Sequence, residues 1–284
     1  MNARELLLTA LAQRYDKYIA ERKRCKDEFS EEAVHDLRVA ARRLLALIDL
    51  LRAVMPHPRL KKLRRDFKDQ LDSLDTLRDT QVMLAEISET LETLPELAPL
   101  QKFLQKREKR LLKAAEREVR DFKTGAISRR IANVQASLTE SDASQDLSAL
   151  LLGAVDEAYS TVCQRGGRVD PAQPATIHRV RIAFKKFRYM VEIIHPGLPG
   201  FPETQLKAMH DYQTGMGAIQ DVEVFLRTLA DFAAKHKTYD PGPVRRFYEQ
   251  RHAELITAYL EDMRESATFW RETPEKDFPW EKTL

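Results

Sequence analysis

The chain has 284 residues, of which 43% are hydrophobic and 32% are charged, so it can bury one large core or two medium ones beneath a heavily solvated surface. Its net charge is only +3, from 47 basic and 44 acidic residues, which argues against a protein that coats nucleic acid by bulk charge alone. Positive charge is instead local: the segment from His35 to Lys68 has ten Lys or Arg against three Asp or Glu, and the segment from His178 to His210 has six against two.

Membrane anchors, disulfides and zinc sites are not predicted. No apolar run approaches the roughly 20 residues of a membrane span, and the N-terminal stretch mixes charged with apolar residues, so we expect neither an anchor nor a signal peptide. The two cysteines, Cys25 and Cys163, lie far from any metal-ligand spacing, and we expect each to be a small buried thiol. These features predict a cytoplasmic protein without a metal site.

Apolar residues recur every three or four positions along most of the chain, without the alternation of a strand, which predicts an all-α fold. Ser30 is placed to cap the second helix, and Pro56 and Pro58 to end it. The polar stretch at 137–146 is the predicted linker between two halves. In chain order, the predicted helices cover residues 2–28, 31–55, 58–93, 97–123, 127–136, 146–165, 175–195, 202–238 and 243–268.

An internal repeat links the two basic segments. VHDLRVAARRLLALID at 34–49 matches IHRVRIAFKKFRYMVE at 177–192, with His over His and Arg38 over Arg181. The likeness resumes in LDSLDTLRDTQVML and QTGMGAIQDVEVFL, which align Asp79 with Asp221. The chain is therefore predicted to be a tandem duplication in which each unit is a basic helix followed by a longer helix.

Both basic helices are predicted to bury one broad apolar face and to carry a basic stripe on another face. In the first copy the stripe is His35, Arg38 and Arg42, with Arg43 on the other side. Like charges at these spacings repel by a few tenths of a kcal/mol, so we expect an external anion to compensate them. In the second copy the stripe is His178, Arg181 and Lys185, with Lys186 beside it and Arg188 on its edge.

The longer helices are predicted to add further positive charge to the same surface. Lys61, Arg65 and Lys68 share one side of a helix at positions i, i+4 and i+7. At the shift of the repeat, Arg65 and Lys68 fall over Lys207 and His210.

Phosphate is the anion that these side chains suit. Arg offers a planar fork of donors, Lys adds a compact charge, and His gains a proton beside an anion. The sequence shows no Gly-rich phosphate loop, no H-E-x-x-H and no C-x-x-C, and hence no catalytic residue or cofactor site is predicted. A linear polyanion such as polyphosphate is favoured over a nucleic acid, a phosphate-processing enzyme, a protein scaffold or a merely solvated rim.

Two pairs of motifs resemble a known family. HDLRVAARRLLALIDLL and IHRVRIAFKKFRYMVEII are similar to the two hallmark helices of the CHAD family, the conserved histidine α-helical domain, and LDTLRDTQV and MGAIQDVEV resemble its second motif. The resemblance spans nearly the whole chain. It implies a single domain over 1–284 with a first half of about 1–140, a second half of about 145–270 and a tail at 271–284.

The resemblance also implies two four-helix-bundle halves related by a pseudo-two-fold axis, with a central basic surface that binds inorganic polyphosphate without catalysis. Triphosphate tunnel enzymes and polyphosphate granules are the partners that it implies, and membrane and nucleic acid are not expected. The chain departs from the family pattern at two positions. Leu45 replaces a basic residue matched by Arg188, so we expect the first stripe to bind less strongly, and Asp75 replaces the helix-packing glycine matched by Gly217, so we expect the longer helix of the first half to pack differently. The site residues that it carries over are His35, Arg38, Arg42, Arg43, His178, Arg181, Lys185, Lys186 and Arg188.

Overall fold

The structure is a computed structural model that describes residues 2–140 and 146–283, without the side chains of 265–267, 282 and 283. Within these residues the chain forms α-helices and short 3-10 turns and no strand, so the predicted all-α fold is confirmed. The α-helices are α1 (Ala3–Glu28), α2 (Glu31–Val54), α3 (Pro58–Thr90), α4 (Ala98–Asp121), α5 (Gly125–Glu140), α6 (Leu147–Gly166), α7 (Ala175–Ile194), α8 (Glu203–Lys235) and α9 (Gly242–Asp262).

The helix boundaries follow local chemistry. The Ser30 side chain accepts a hydrogen bond from the Ala33 amide at 3.1 Å, as expected of a residue that caps α2. Asp146 caps α6 in the same way through the Ala149 amide at 3.0 Å. The predicted linker at 137–146 begins later than expected, because Leu138 continues the buried stripe of α5 to its last turn. Residues 141–145 of that linker lie outside the described residues.

Other departures from expectation occur on the second half of the chain. The last predicted helix, 243–268, ends as an α-helix at Asp262 and continues as a 3-10 turn over Met263–Thr268. Cys25 is buried as expected, but the same expectation for Cys163 is wrong, because this thiol is exposed near the end of α6.

Successive helices pack against each other as antiparallel neighbours, first α1 to α4 and then α6 to α9, with α5 lying against α1 and α3. The two sets meet where α2 packs against α6 and α7 and where α3 packs against α8. One apolar core runs through both sets, and a smaller cluster joins the far ends of α3, α4, α8 and α9. This arrangement places α2 and α7, which carry the basic stripes, side by side at the middle of the molecule.

The apolar faces predicted for α2 and α7 are buried in the large core, which holds the two helices in register. Leu37 and Leu44 on α2 and Phe184 and Phe187 on α7 are fully buried. The division into two related halves stays a prediction. Within the described residues, no helix is long and apolar enough to cross a membrane.

The segment after α9 folds back onto α6. Trp270 is buried, and its Nε1 donates a hydrogen bond to Asp156 Oδ1 at 2.8 Å. Arg271 donates two further hydrogen bonds to the same carboxylate, at 2.9 and 2.6 Å. Phe278 and Trp280 then stack on each other with ring centroids 4.6 Å apart.

Replacing Trp270 should therefore destabilise the whole domain. We expect Trp270→Ala to lower the free energy of unfolding by about 3 to 5 kcal/mol, since it removes a large buried ring and leaves a cavity. Urea denaturation followed by circular dichroism measures the loss. The control is Lys276→Ala on the same segment, where the exposed side chain should change stability by less than about 0.5 kcal/mol. Equal stabilities of the two variants would contradict this account.

Candidate functional site

A cavity of about 500 Å³ opens between α2, α3, α7 and α8 and is called the central cavity below. It takes its lining from both basic helices and from both of the longer helices that follow them. Seven Lys or Arg side chains line it against five Asp side chains, together with His178. The cations are Arg38, Arg42, Arg64, Lys68, Arg181, Lys185 and Lys186, and the acids are Asp49, Asp72, Asp75, Asp79 and Asp221.

Three of the cations are matched by carboxylates of the first half. Arg38 is almost fully buried, and its Nη2 donates to Asp75 Oδ1 at 2.6 Å while its Nη1 donates to the Leu71 carbonyl at 3.1 Å. Arg64 pairs with Asp49 at 2.7 Å, and Lys68 pairs with Asp72. The positive charge of this wall is therefore largely compensated.

The other cations form an uncompensated group. In the described part of the chain, no carboxylate oxygen lies within 4.0 Å of the charged nitrogens of Arg42, Arg181, Lys185 and Lys186. Removing unpaired charges from water raises the free energy of the folded protein, more so where several like charges share one space. The arrangement of the cavity wall thus favours the arrival of an anion.

Gly217 explains why Arg181 has no carboxylate partner. A Cβ atom at this position would lie 3.9 Å from both the Nε and the Nη2 of Arg181, so the guanidinium lies directly over the glycine on α8. The Nε of Arg181 is buried without a hydrogen-bond partner. At the position that the predicted repeat aligns with Gly217, Asp75 supplies the ion pair to Arg38. The expected difference in helix packing at this pair of positions stays a prediction, whereas the contacts of the two residues show a difference in charge compensation.

The environment of the central cavity strongly affects the pKa of Lys185. Burial, followed by the charges of Arg42, Arg181 and Arg38, lowers the pKa of its ammonium group to about 7, although Asp75 acts in the opposite direction. Near neutral pH this amine is therefore unprotonated in a larger fraction of molecules than an ordinary lysine. Burial also lowers the pKa values of Arg38 and Arg181.

The cavity also changes the pKa values of two of its carboxylates. Burial raises the pKa of Asp79, and the neighbouring charge of Asp75 raises it further. Burial likewise raises the pKa of Asp221, against the effect of Arg181. These acids line the cavity from α3 and α8. They attract Arg181 from a distance without forming an ion pair with it.

Half of the side chains predicted for the site line the central cavity. They are Arg38, Arg42, Lys68, His178, Arg181, Lys185 and Lys186. Of these, His178 has its Nδ1 buried without a hydrogen-bond partner.

The structure places two of the other predicted residues beside Glu192. Arg43 lies 3.7 Å from this carboxylate in a second cleft between α1, α2 and α7. Arg188 is buried, donates to Glu192 at 2.7 Å and to Gln213 at 2.9 Å, and lies over the ring of Tyr189. Its contacts are those of a packed structural residue, so the expected advantage of Arg188 over Leu45 does not arise inside the cavity.

The remaining predicted residues are exposed and lie outside the central cavity. Lys207 forms an ion pair with Asp211 at 2.6 Å on α8, and His210 is near the hydroxyl group of Thr214. The full set is His35, Lys61, Arg65, Lys207 and His210.

Sequence reasoning missed Arg64, which lines the cavity while Lys61 and Arg65 do not. The signal was present in the spacing along α3. Arg64, Lys68, Asp75 and Asp79 stand at i, i+4, i+11 and i+15 and share one face of the helix. Of the predicted set at i, i+4 and i+7, only Lys68 belongs to the group that lines the cavity.

Among the residues that the structure describes, no group of three or more His, Cys, Asp or Glu side chains is arranged to hold a metal ion.

Comparison with known proteins agrees with the fold. The family model of the CHAD domain matches residues 9–230, and the chain belongs to this family. The crystal structure of the CHAD domain from the plant Ricinus communis is similar, with a TM-score of 0.72 and 22% sequence identity over 95% of this chain and 93% of that chain. At that identity the likeness shows the fold. No curated protein matches the sequence.

The charge of Lys185 gives a direct test of the cavity electrostatics. We expect its ammonium group to titrate at about pH 7 and the pKa to rise in Arg42→Gln, because that variant removes a neighbouring positive charge. NMR titration of isotope-labelled lysine measures the pKa, with Lys185→Arg used to assign the signal. Arg42→Lys keeps the charge and should shift the pKa much less. A wild-type pKa near the reference value of about 10.4 would contradict the proposed environment.

Proposed function

We propose that this protein binds inorganic polyphosphate in the central cavity without changing it chemically. The observation that carries the proposal is the group of uncompensated cations, Arg42, Arg181, Lys185 and Lys186, which converge from two helices on one open cavity. Membership of the CHAD family supports the same reading.

A chain of phosphates suits these cations in both chemistry and geometry. Arg42 and Arg181 offer planar forks that match phosphate oxygens, and Lys185 and Lys186 add point charges. Side chains one turn apart on a helix are separated by about 5 to 6 Å, so a linear polymer with repeated negative charge can meet several of them in succession. An arriving anion also favours the protonated form of Lys185 and recovers its full charge.

Cavity cations that already have a carboxylate partner can also contribute to phosphate binding. Lys68 and Asp72 are each about half exposed, with side-chain exposures of 51% and 53%. Exposed ion pairs contribute at most about 1 kcal/mol, so Lys68 can exchange its carboxylate for a phosphate at little loss. Arg38 differs, since it is buried and held by Asp75. We assign it mainly to the electrostatic field of the cavity.

A nucleic acid is the second candidate ligand, because it offers the same phosphates. Binding of single strands without sequence preference uses aromatic side chains on which bases stack. Phe184 and Phe187 in the basic helix α7 are fully buried in the core, and Tyr189, which lines the cavity, is almost fully buried with Arg188 over its ring, so none of the three offers an open stacking surface. We therefore favour polyphosphate, with polyphosphate granules in the cytoplasm as the proposed place of action and a triphosphate tunnel enzyme as the proposed partner.

The test of this function is a binding titration with long-chain polyphosphate, competed by RNA, DNA and short phosphates. We expect long-chain polyphosphate to bind most tightly, since linked contacts raise the effective concentration of each successive phosphate. The logarithm of the affinity should fall by about 0.7 per phosphate contact for each log unit of salt. A salt-independent affinity, or tighter binding of RNA or DNA, would refute the proposal.

Charge removal inside the cavity should weaken the binding. We expect Arg42→Ala and Lys185→Ala each to lose about 1 to 3 kcal/mol of binding free energy for long-chain polyphosphate. Neither should lower the melting temperature, because each variant relieves repulsion among buried like charges. Lys106→Ala, an exposed change on α4 away from the cavity, is the matched control and should bind like wild type. Wild-type affinity in both cavity variants would place the ligand elsewhere.

The non-catalytic part of the proposal has its own measurement. Incubation of the protein with polyphosphate and Mg²⁺ or Mn²⁺ should release no orthophosphate above the rate without protein, because the described lining of the cavity contains no Ser, Thr or Cys nucleophile paired with a base. Sustained release that disappears in Lys185→Ala would assign an enzymatic activity to this site.

A further inference from the structure

Lys185 combines two properties that polyphosphate binding by itself does not require. Its Nζ has no carboxylate partner among the described residues, and it lies on the cavity wall between guanidinium groups of two helices. Burial and the charges of Arg42, Arg181 and Arg38 lower its pKa to about 7, which leaves much of the amine unprotonated in the cell. A desolvated lysine beside other cations is an activated nucleophile.

The cations that lower the pKa of Lys185 also attract phosphate esters and anhydrides. A small molecule that joins a phosphate to an electrophilic carbon can be held by Arg42 and Arg181 in the same cavity that Lys185 lines. Acyl phosphates, in which a carboxylic acid is joined to phosphate, carry the electrophilic carbon directly next to the phosphate. Their carbonyl carbon is attacked by amines, and their leaving group is the phosphate itself.

Building on the proposed anion site, we propose that Lys185 is a modification site at which small acyl phosphates acylate the side chain. The unprotonated Nζ attacks the carbonyl carbon, and a carbon–nitrogen bond forms. The carbon–oxygen bond to phosphate then breaks, and inorganic phosphate leaves from Arg42 and Arg181. The proton that the nitrogen loses passes to the departing phosphate or to water. The products are an Nε-acyl-lysine and inorganic phosphate, with no oxidant, metal or further reactant.

This modification acts on the binding site that contains it. Acylation converts a titratable amine into a neutral amide and adds an acyl group to the cavity wall, so a phosphate loses one of its charged donors. Bound polyphosphate works in the opposite direction, because it occupies the cavity and excludes the acyl phosphate from the amine. The site is therefore modified when it is empty and protected when it is filled.

The first experiment measures acylation residue by residue with isotope-labelled acetyl phosphate and mass spectrometry, from pH 6 to pH 10. At pH 7, Lys185 should react roughly tenfold or more faster than Lys186 in the same cavity and Lys109 on α4, because of its unprotonated fraction. Its rate should level off above about pH 7, whereas a free lysine amine in the same buffer gains rate up to about pH 10. Equal rates at Lys185, Lys186 and Lys109 would overturn the proposal.

A neutral ester, p-nitrophenyl acetate, separates phosphate docking from simple amine reactivity. We divide the rate with acetyl phosphate by the rate with the ester at each lysine, so that intrinsic reactivity cancels. Docking on Arg42 and Arg181 predicts a ratio at Lys185 about tenfold above that at Lys109. The same ratio at both residues would show that the phosphate is not held, and would overturn the assignment to acyl phosphates.

The second experiment tests the effect on binding with polyphosphate as the probe. Treatment of wild type with acetyl phosphate should lower its polyphosphate affinity by about tenfold, the size of one charge-assisted contact. Lys185→Arg cannot be acylated at this position, and its affinity after treatment should equal its own untreated value. An equal loss in that variant would assign the effect to other lysines and overturn the regulatory role. The titration of untreated wild type tests the polyphosphate proposal separately, so the two can fail independently.

Discussion

The packing of α2 against α7 brings positive charges from two helices into one cavity. Leu37 and Leu44 on one helix and Phe184 and Phe187 on the other are fully buried in a shared core. Burying such a side chain contributes about 1.5 to 3 kcal/mol, and several of them together exceed the repulsion between partly solvated cations. The apolar faces therefore impose a geometry that the basic stripes alone would oppose. The chemical properties of the central cavity follow from this constraint.

Compensation of the charges is unequal on the two sides of the cavity. On the side formed by α3, Asp75 pairs with Arg38 of α2, and the two α3 cations that line the cavity, Arg64 and Lys68, have their own carboxylates. On the second side Gly217 occupies the place of that aspartate, and Arg181 lies over it without an ion pair. A ligand that enters the cavity would find its strongest uncompensated field on α7. The field there includes Arg42, which reaches across from α2 and perturbs both Arg181 and Lys185.

The sequence predicted the elements better than the directions in which their side chains point. Helical periodicity and capping residues located the helices, because both signals are local; Ser30 is one such case. A helical wheel groups residues that share a face, and Arg38, Arg42, Arg181 and Lys185 of the predicted stripes line the cavity, whereas His35 does not. The choice of Lys61 and Arg65 rather than Arg64 depended on which part of α3 lines the cavity. That placement is set by tertiary packing, which no single helix reveals.

The state of Lys185 was beyond sequence reasoning for the same reason. Its lowered pKa arises from burial and from Arg42 and Arg38, which lie about 140 positions away in the chain and become neighbours only in the fold. Arg188 shows the converse case. It shares the pattern of the stripe, yet hydrogen bonds to Gln213 and Glu192 hold it in a structural role.

The lowered pKa of Lys185 also links the empty cavity to the stability of the fold. In the unfolded chain the ammonium group has a pKa of about 10.4, well above its value of about 7 in the folded protein. Below pH 7 the group is protonated in both states, and the folded state bears the full cost of the buried charge. Between about pH 7 and pH 10 the unfolded chain binds more protons, so this contribution to stability rises with pH. A bound polyanion reverses the relation, because it favours the protonated amine in the folded state. The charge that destabilises the empty cavity then pairs with the negative charge of the ligand. At low pH the same ammonium group therefore opposes folding in the empty protein and supports ligand binding.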